Sequence, residues 1–144
     1  MPRELNSCPV QKGSEKILFD GFLTLKEESI DTAKGPLPYY TVHTAPTSVM
    51  VLPFRKDGAV LMVREWRHAV KTFVHSFPGG LIDGEETPLA AAERELLEET
   101  GFKGSSYELL GSCFPLPGLL AQRMWVVLAK DVIQVQNPAL ETLA

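Results

Sequence analysis

Residues 80–102 read GLIDGEETPLAAAERELLEETGF, and the fold turns on how they are read. Thr87 is placed to cap a helix, and Pro88 to fill its first position, where a missing N–H costs nothing. Ala90, Ala91, Ala92, Leu96 and Leu97 favour helix. Gly101 stands where a left-handed residue closes a last turn. The spacing predicts a helix over 87–100, with Leu89, Ala92, Leu96 and Thr100 on one stripe facing a core.

On the N-terminal side, Pro78-Gly79-Gly80 breaks an extended stretch from Val70 to Phe77. Ser48 to Phe54 reads as a buried strand, Lys56-Asp57-Gly58 as a hairpin turn, and Ala59 to Val63 as the partner strand. On the C-terminal side, Tyr107 to Cys113 and Arg123 to Ala129 read as strands, joined through the loop Pro115-Leu116-Pro117-Gly118. Strands, one strong helix, then strands predict an α+β sandwich rather than a run of βαβ units. Further upstream, Lys16 to Ile30 predicts one or two strands broken near Asp20-Gly21. A turn at Lys34-Gly35-Pro36 and a strand over Tyr39 to His43 complete a small antiparallel unit behind a loose arm, residues 1–13. The expected division is a strand unit over 1–45 and a main domain over 46–144.

With 144 residues and 44% apolar content, the chain is large enough for a real core. Its net charge of -4 argues against general affinity for nucleic acid or an anionic membrane, so phosphate binding needs a local device. No signal peptide or long apolar run is visible, and Cys8 and Cys113 form no CxxC pair; the cytoplasm is the expected setting.

That local device is visible on the helix. Residues three and four apart are neighbours, so Glu95, Glu98 and Glu99 converge on one face. Glu98 and Glu99 also oppose the helix dipole in the last turn, at roughly 0.3–1 kcal/mol per exposed charge. A divalent cation reverses the sign of these effects, and carboxylates are the ligands Mg²⁺ and Mn²⁺ prefer. Spacing alone leaves a solvated acidic face and a metal site both open.

Residues 80–102 resemble the Nudix box: G, five residues, E, seven residues, R-E, a large aliphatic, any residue, E-E, any residue, G, a large apolar residue. Gly80, Glu86, Arg94, Glu95, Leu96, Glu98, Glu99, Gly101 and Phe102 fill every fixed position without a gap. The resemblance implies a Nudix fold, with a mixed sheet sandwiched by helices, and hydrolysis of a nucleoside diphosphate linked to another moiety. It implies metal ligation by Glu95, Glu98, Glu99 and the Gly79 carbonyl, with Arg94 and Glu86 holding loop and helix in register.

The flanks VREWRHAVKTFVHSFPGGLID and PLPG resemble the ADP-ribose pyrophosphatase branch, and the N-terminal strands resemble its dimerisation sheet. This implies a nucleotide-sugar substrate, Mg²⁺ or Mn²⁺ as cofactor, and a homodimer, with no nucleic-acid or membrane partner. Many members of that branch carry Glu two residues before the Pro of the Pro-Gly turn; here Ser76 stands there, which alters a substrate contact. Their acidic loop after the last strand is represented only by residues 138–144, where Glu141 is the one acid.

Glu98, Glu99 and Glu141 are candidates to take the attacking water's proton. Arg67 is a candidate diphosphate contact, because a guanidinium binds two oxygens at once; a surface ion pair is its alternative. Trp66 suits stacking on a base or a place in the core. Ser76 and Gly118 complete the expected substrate-side set. The alternatives to ADP-ribose are a dinucleoside polyphosphate, a nucleoside triphosphate, a capped RNA, or a catalytically impaired nucleotide-binding module.

Overall fold

The structure, a computed structural model, describes residues 12–44 and 47–139. The chain divides into two compact units, Met1–Ala45 with Leu116–Gln122, and Pro46–Pro115 with Arg123–Ala144.

In the first unit, β1 (Lys12–Asp20), β2 (Thr24–Thr32) and β3 (Gly35–His43) form an antiparallel sheet in chain order. The break falls after Asp20, as the sequence predicts. β3 starts earlier than expected, because Gly35, Pro36, Leu37 and Pro38 pair with residues of β2. Two prolines are tolerated because β3 is an edge strand of this sheet. Residues 116–122 line that outer side. The Val42 N–H donates to the Leu119 carbonyl and the Ala121 N–H to the Val42 carbonyl, each at 2.8 Å.

In the second unit the strands are β4 (Ser48–Pro53), β5 (Val63–Arg67), β6 (Thr72–Ser76), β7 (Gly79–Leu81), β8 (Phe102–Lys103), β9 (Ser106–Cys113), β10 (Met124–Lys130) and β11 (Ile133–Gln134). The main sheet has the order β7-β4-β10-β9, with β4 and β10 parallel and the other pairs antiparallel, so it is mixed as expected. β5–β6 and β8–β11 are separate antiparallel pairs. The helix α1 (Pro88–Thr100) is the only one among the described residues.

Its local signals act as read. The Ala90 N–H donates to Thr87 Oγ1 at 3.2 Å, and Pro88 opens the helix. Gly101 is left-handed at φ 74° and donates its N–H to the Leu97 carbonyl at 2.8 Å. Three later N–H groups secure the same end: Val135 and Gln136 donate to the Gly101 carbonyl at 2.9 and 3.2 Å and Ala139 to the Glu98 carbonyl at 2.8 Å. They satisfy carbonyl acceptors that a helix end otherwise leaves open.

The core forms where Ala91, Ala92 and Leu96 of α1 meet Val49 and Val51 of β4 and Val127 and Ala129 of β10. β4 alternates strictly, burying every second residue. Leu96 is fully buried, and Leu96→Ala is expected to cost about 3 kcal/mol in urea unfolding with an unchanged m-value. A loss below about 1 kcal/mol would show that this contact does not hold the helix.

Two expectations need correction. Leu89 is exposed, and Ala91 takes its place on the buried stripe, because the apolar face is rotated toward residues 91 and 92. Ala59 to Val63 forms no regular partner strand of β4. The turn closes at Gly58, but only the Phe54–Val60 bridge follows it. Leu61 then donates its N–H to the Pro53 carbonyl at 3.0 Å, and Val63 leaves to pair with Ser76. No helix among the described residues is long and apolar enough to cross a membrane.

Candidate active site at the helix and its glycine loop

Arg94 organises the loop–helix junction. Its Nε and Nη2 donate to both oxygens of Glu86, at 3.2 and 3.0 Å. Nη2 also donates to the Leu81 carbonyl at 3.0 Å, which ties the helix to β7. Nη1 donates to Glu95 at 2.8 Å and to Glu98 at 3.2 Å. One guanidinium fork therefore fixes a loop acid, a backbone oxygen and two helix acids, as a point charge cannot. The hydrogen bond from Arg94 holds the Glu86 carboxyl below its usual range.

Glu95 and Glu99 are held differently. Burial pushes the Glu95 carboxyl up, against the pull of Arg94. It lies against the backbone of Gly80, where a Cβ would run into the carboxylate. Glu99 Oε2 accepts the Gly79 N–H at 3.0 Å. Burial raises its pKa to about 7, with the negative charges of Glu95 and Glu65 adding and the Gly79 N–H and Arg67 opposing.

Spacing on the helix suggested that Glu95, Glu98 and Glu99 converge. Among the described residues no three acid or histidine side chains converge as a metal cage does. Glu95 and Glu98 are joined to Arg94 Nη1, while Glu99 reaches Gly79. The donor chemistry nevertheless suits a hard divalent cation. All the groups are carboxylate oxygens, burial disfavours the charge on Glu95 and Glu99, and the missing Cβ of Gly80 leaves Glu95 room.

The β5–β6 hairpin sorts the expected substrate residues onto two faces. Successive strand residues alternate, and paired residues share a face. Val63 pairs with Ser76, Glu65 with Val74 and Arg67 with Thr72, so Glu65, Arg67 and Ser76 share one face. Glu65 accepts hydrogen bonds from both Arg67 Nη2 and Ser76 Oγ. Arg67 thus forms an ion pair, and its charge also acts on Glu99.

Trp66 lies on the opposite face, half-exposed rather than in the core. It meets Phe73 edge-on with ring centres 5.4 Å apart, and Arg64 stacks 4.2 Å over Phe73. Trp66 and Arg67 are therefore not brought together. Gly118 belongs to the first unit, where its carbonyl accepts from the Tyr39 hydroxyl at 2.7 Å. Cys113 is exposed and free, whereas Cys8, Glu141 and most of the arm lie outside the described residues. Sequence reasoning missed Glu65; the alternation of Val63-Arg64-Glu65-Trp66-Arg67 was the signal that places it beside Arg67.

The family described as the NUDIX domain matches residues 44–142. The chain belongs to the Nudix family. It is 25% identical over 126 residues to a methanol dehydrogenase activator of Bacillus methanolicus, covering 88% of this chain and 68% of the relative. It is 25% identical over 118 residues to an ADP-ribose pyrophosphatase of Bacillus subtilis (strain 168), covering 82% and 64%. The chain thus spans about two thirds of the length of these relatives. Its fold is similar to that in the crystal structure of an ADP compounds hydrolase, with a TM-score of 0.77 and 24% identity over 94% of this chain and 72% of that one.

The Nudix pattern now has a physical basis in this chain. The glycine at 80 is a space for the glutamate at 95, and the glutamate at 86 is the bidentate partner of the arginine at 94.

Proposed function

We propose that this protein hydrolyses the diphosphate bond of ADP-ribose or a related nucleotide sugar, giving a nucleoside monophosphate and a sugar phosphate. The observation that carries this reading is the box folded as one loop–helix device, with Arg94 gathering Glu86, Glu95 and Glu98 and the Gly79 N–H holding Glu99. The Bacillus subtilis relative named an ADP-ribose pyrophosphatase supports the substrate class.

Glu95, Glu98 and Glu99, with the Gly79 carbonyl, would hold Mg²⁺ or Mn²⁺. Such ions, when bound, acidify water and neutralise charge on the diphosphate. Arg94 keeps the carboxylates in place through its ties to Glu86 and Leu81. Glu99, held at the glycine loop by the Gly79 N–H, is the candidate to take one proton from the attacking water. The water oxygen bonds to one phosphorus, the bridging P–O bond breaks, and its electron pair leaves with the other phosphate. Arg67 is the candidate donor to the diphosphate and Ser76 reaches it through Glu65, whereas Trp66, on the opposite face of the hairpin, is not part of that contact. Gly118 is retained as a substrate-loop position.

The reading includes a cytoplasmic homodimer built through β1–β3, supported by exposed Ile17, Phe19, Phe22 and Leu37 in that unit. A binding or activating module without turnover is the second reading, favoured by the relative named an activator. ADP-ribose, nucleoside triphosphates and dinucleoside polyphosphates with Mg²⁺ or Mn²⁺ should be followed by AMP and phosphate release. AMP release from ADP-ribose is expected, abolished by a chelator and restored by Mn²⁺. Binding of ADP-ribose without cleavage under any of these conditions would refute hydrolysis and favour the module.

A further inference from the structure

We propose that Glu65 is a positioning residue: braced by the Ser76 hydroxyl, it fixes the Arg67 guanidinium for a diphosphate group. This rests on the proposed function. Arg67, Glu65 and Ser76 share one face of the β5–β6 hairpin, and both neighbours donate to the same carboxylate oxygen, Oε1. The Glu65 side chain is largely covered at 30% exposure, whereas the Arg67 side chain is 57% exposed. The acid is thus the fixed member, and the guanidinium keeps donors free beyond it. Ser76 ends β6, and the chain continues through Phe77 and Pro78 to Gly79, whose N–H holds Glu99, so the hairpin face adjoins the glycine loop in sequence.

An unbraced arginine on a strand end samples many rotamers, and ordering it costs affinity on each binding event. A carboxylate that is itself held removes part of that cost, as preorganisation requires. The serine at 76 also gains a meaning. Its hydroxyl supports a glutamate on the neighbouring strand.

The test is a double-mutant cycle on the full chain with ADP-ribose and Mg²⁺. Glu65→Gln and Arg67→Ala are each expected to raise KM by about 10- to 100-fold, with a smaller fall in kcat. Combined, they should do no more harm than Arg67→Ala alone, because Glu65 acts through Arg67. Ser76→Ala should give a milder loss, and Ser76→Thr, which keeps the hydroxyl, should restore it. Arg64→Ala, on the opposite face, is the control and should leave KM unchanged. The same cycle on ADP-ribose affinity, read by calorimetry, applies if the wild type binds without turnover.

Losses that multiply in the double variant, or an unchanged Glu65→Gln, would overturn the positioning role while leaving hydrolysis standing. A wild type that neither binds nor cleaves ADP-ribose would overturn both.

Discussion

Glu99→Gln is expected to lower ADP-ribose turnover by at least about 100-fold while the protein still folds. Removing groups that merely orient a metal ligand costs about 10- to 100-fold, and loss of a ligand or proton acceptor costs more. The fold should tolerate the change, because Gln can still accept the Gly79 N–H and removes a charge that burial, Glu95 and Glu65 all disfavour. The sign of the pH dependence follows. The carboxyl is raised from an ordinary 4.5 to about 7 in the folded protein. Its contribution to stability is therefore fully present below about pH 4.5 and is lost as pH rises through about 7. Without metal, the wild type should melt at lower temperature at pH 8 than at pH 5, and Glu99→Gln should flatten that slope. Undiminished turnover in the variant would exclude Glu99 from the chemistry, and an identical melting profile would exclude its burial as the cause of the shift.

Arg94→Ala should be the most damaging single change to stability in the site, at about 2–4 kcal/mol. Glu86 and Glu95 are mostly covered, with side chains 19% and 12% exposed, and would lose their shared cation. The more exposed Glu98 adds little, because solvent screens it. Arg94→Lys should recover only part of the loss, since an ammonium cannot span Glu86, Leu81 and Glu95 together. Turnover should vanish in the Ala variant even where folding is restored by a stabilising osmolyte. The difference in urea midpoint measures the effect, and a cost below about 1 kcal/mol would mean that the network is screened rather than structural.

Much of this was legible because its causes are local. Thr87, Pro88 and Gly101 act within a few residues, and the structure ends the helix where they do. Asp57-Gly58 likewise marks a turn through its own backbone preference, with Gly58 left-handed at φ 82°. What failed depends on partners. Ala59 to Val63 has a strand's composition, but Val63 is claimed by Ser76, thirteen positions on, and periodicity carries no record of that choice. Leu89 sits at helical spacing, yet the width and angle of the buried stripe are set by β4 and β10. In the site, Glu86, Arg94 and Glu95 were legible as a set. The separate attachment of Glu99 to Gly79 was not, because it depends on how β7 lies beside the helix end. The bond between Tyr39 and Gly118 spans 79 positions and has no local sign.

The ties from Val135 and Ala139 to the end of α1 bear on how the site comes into being during synthesis. The last turn has acids and no basic residue to answer the dipole, so it gains little stability of its own. Its outside donors leave the ribosome only after the whole helix has done so. A nascent chain halted before residue 135 would carry all the glutamates yet hold them on a fraying turn. Hydrogen exchange at residues 98–101 in a chain ended at residue 134 should accordingly approach the rate of an open terminus, while Ala91 and Ala92 stay protected. The end of the helix would then be set only after β11 has followed it, well after its own residues are made.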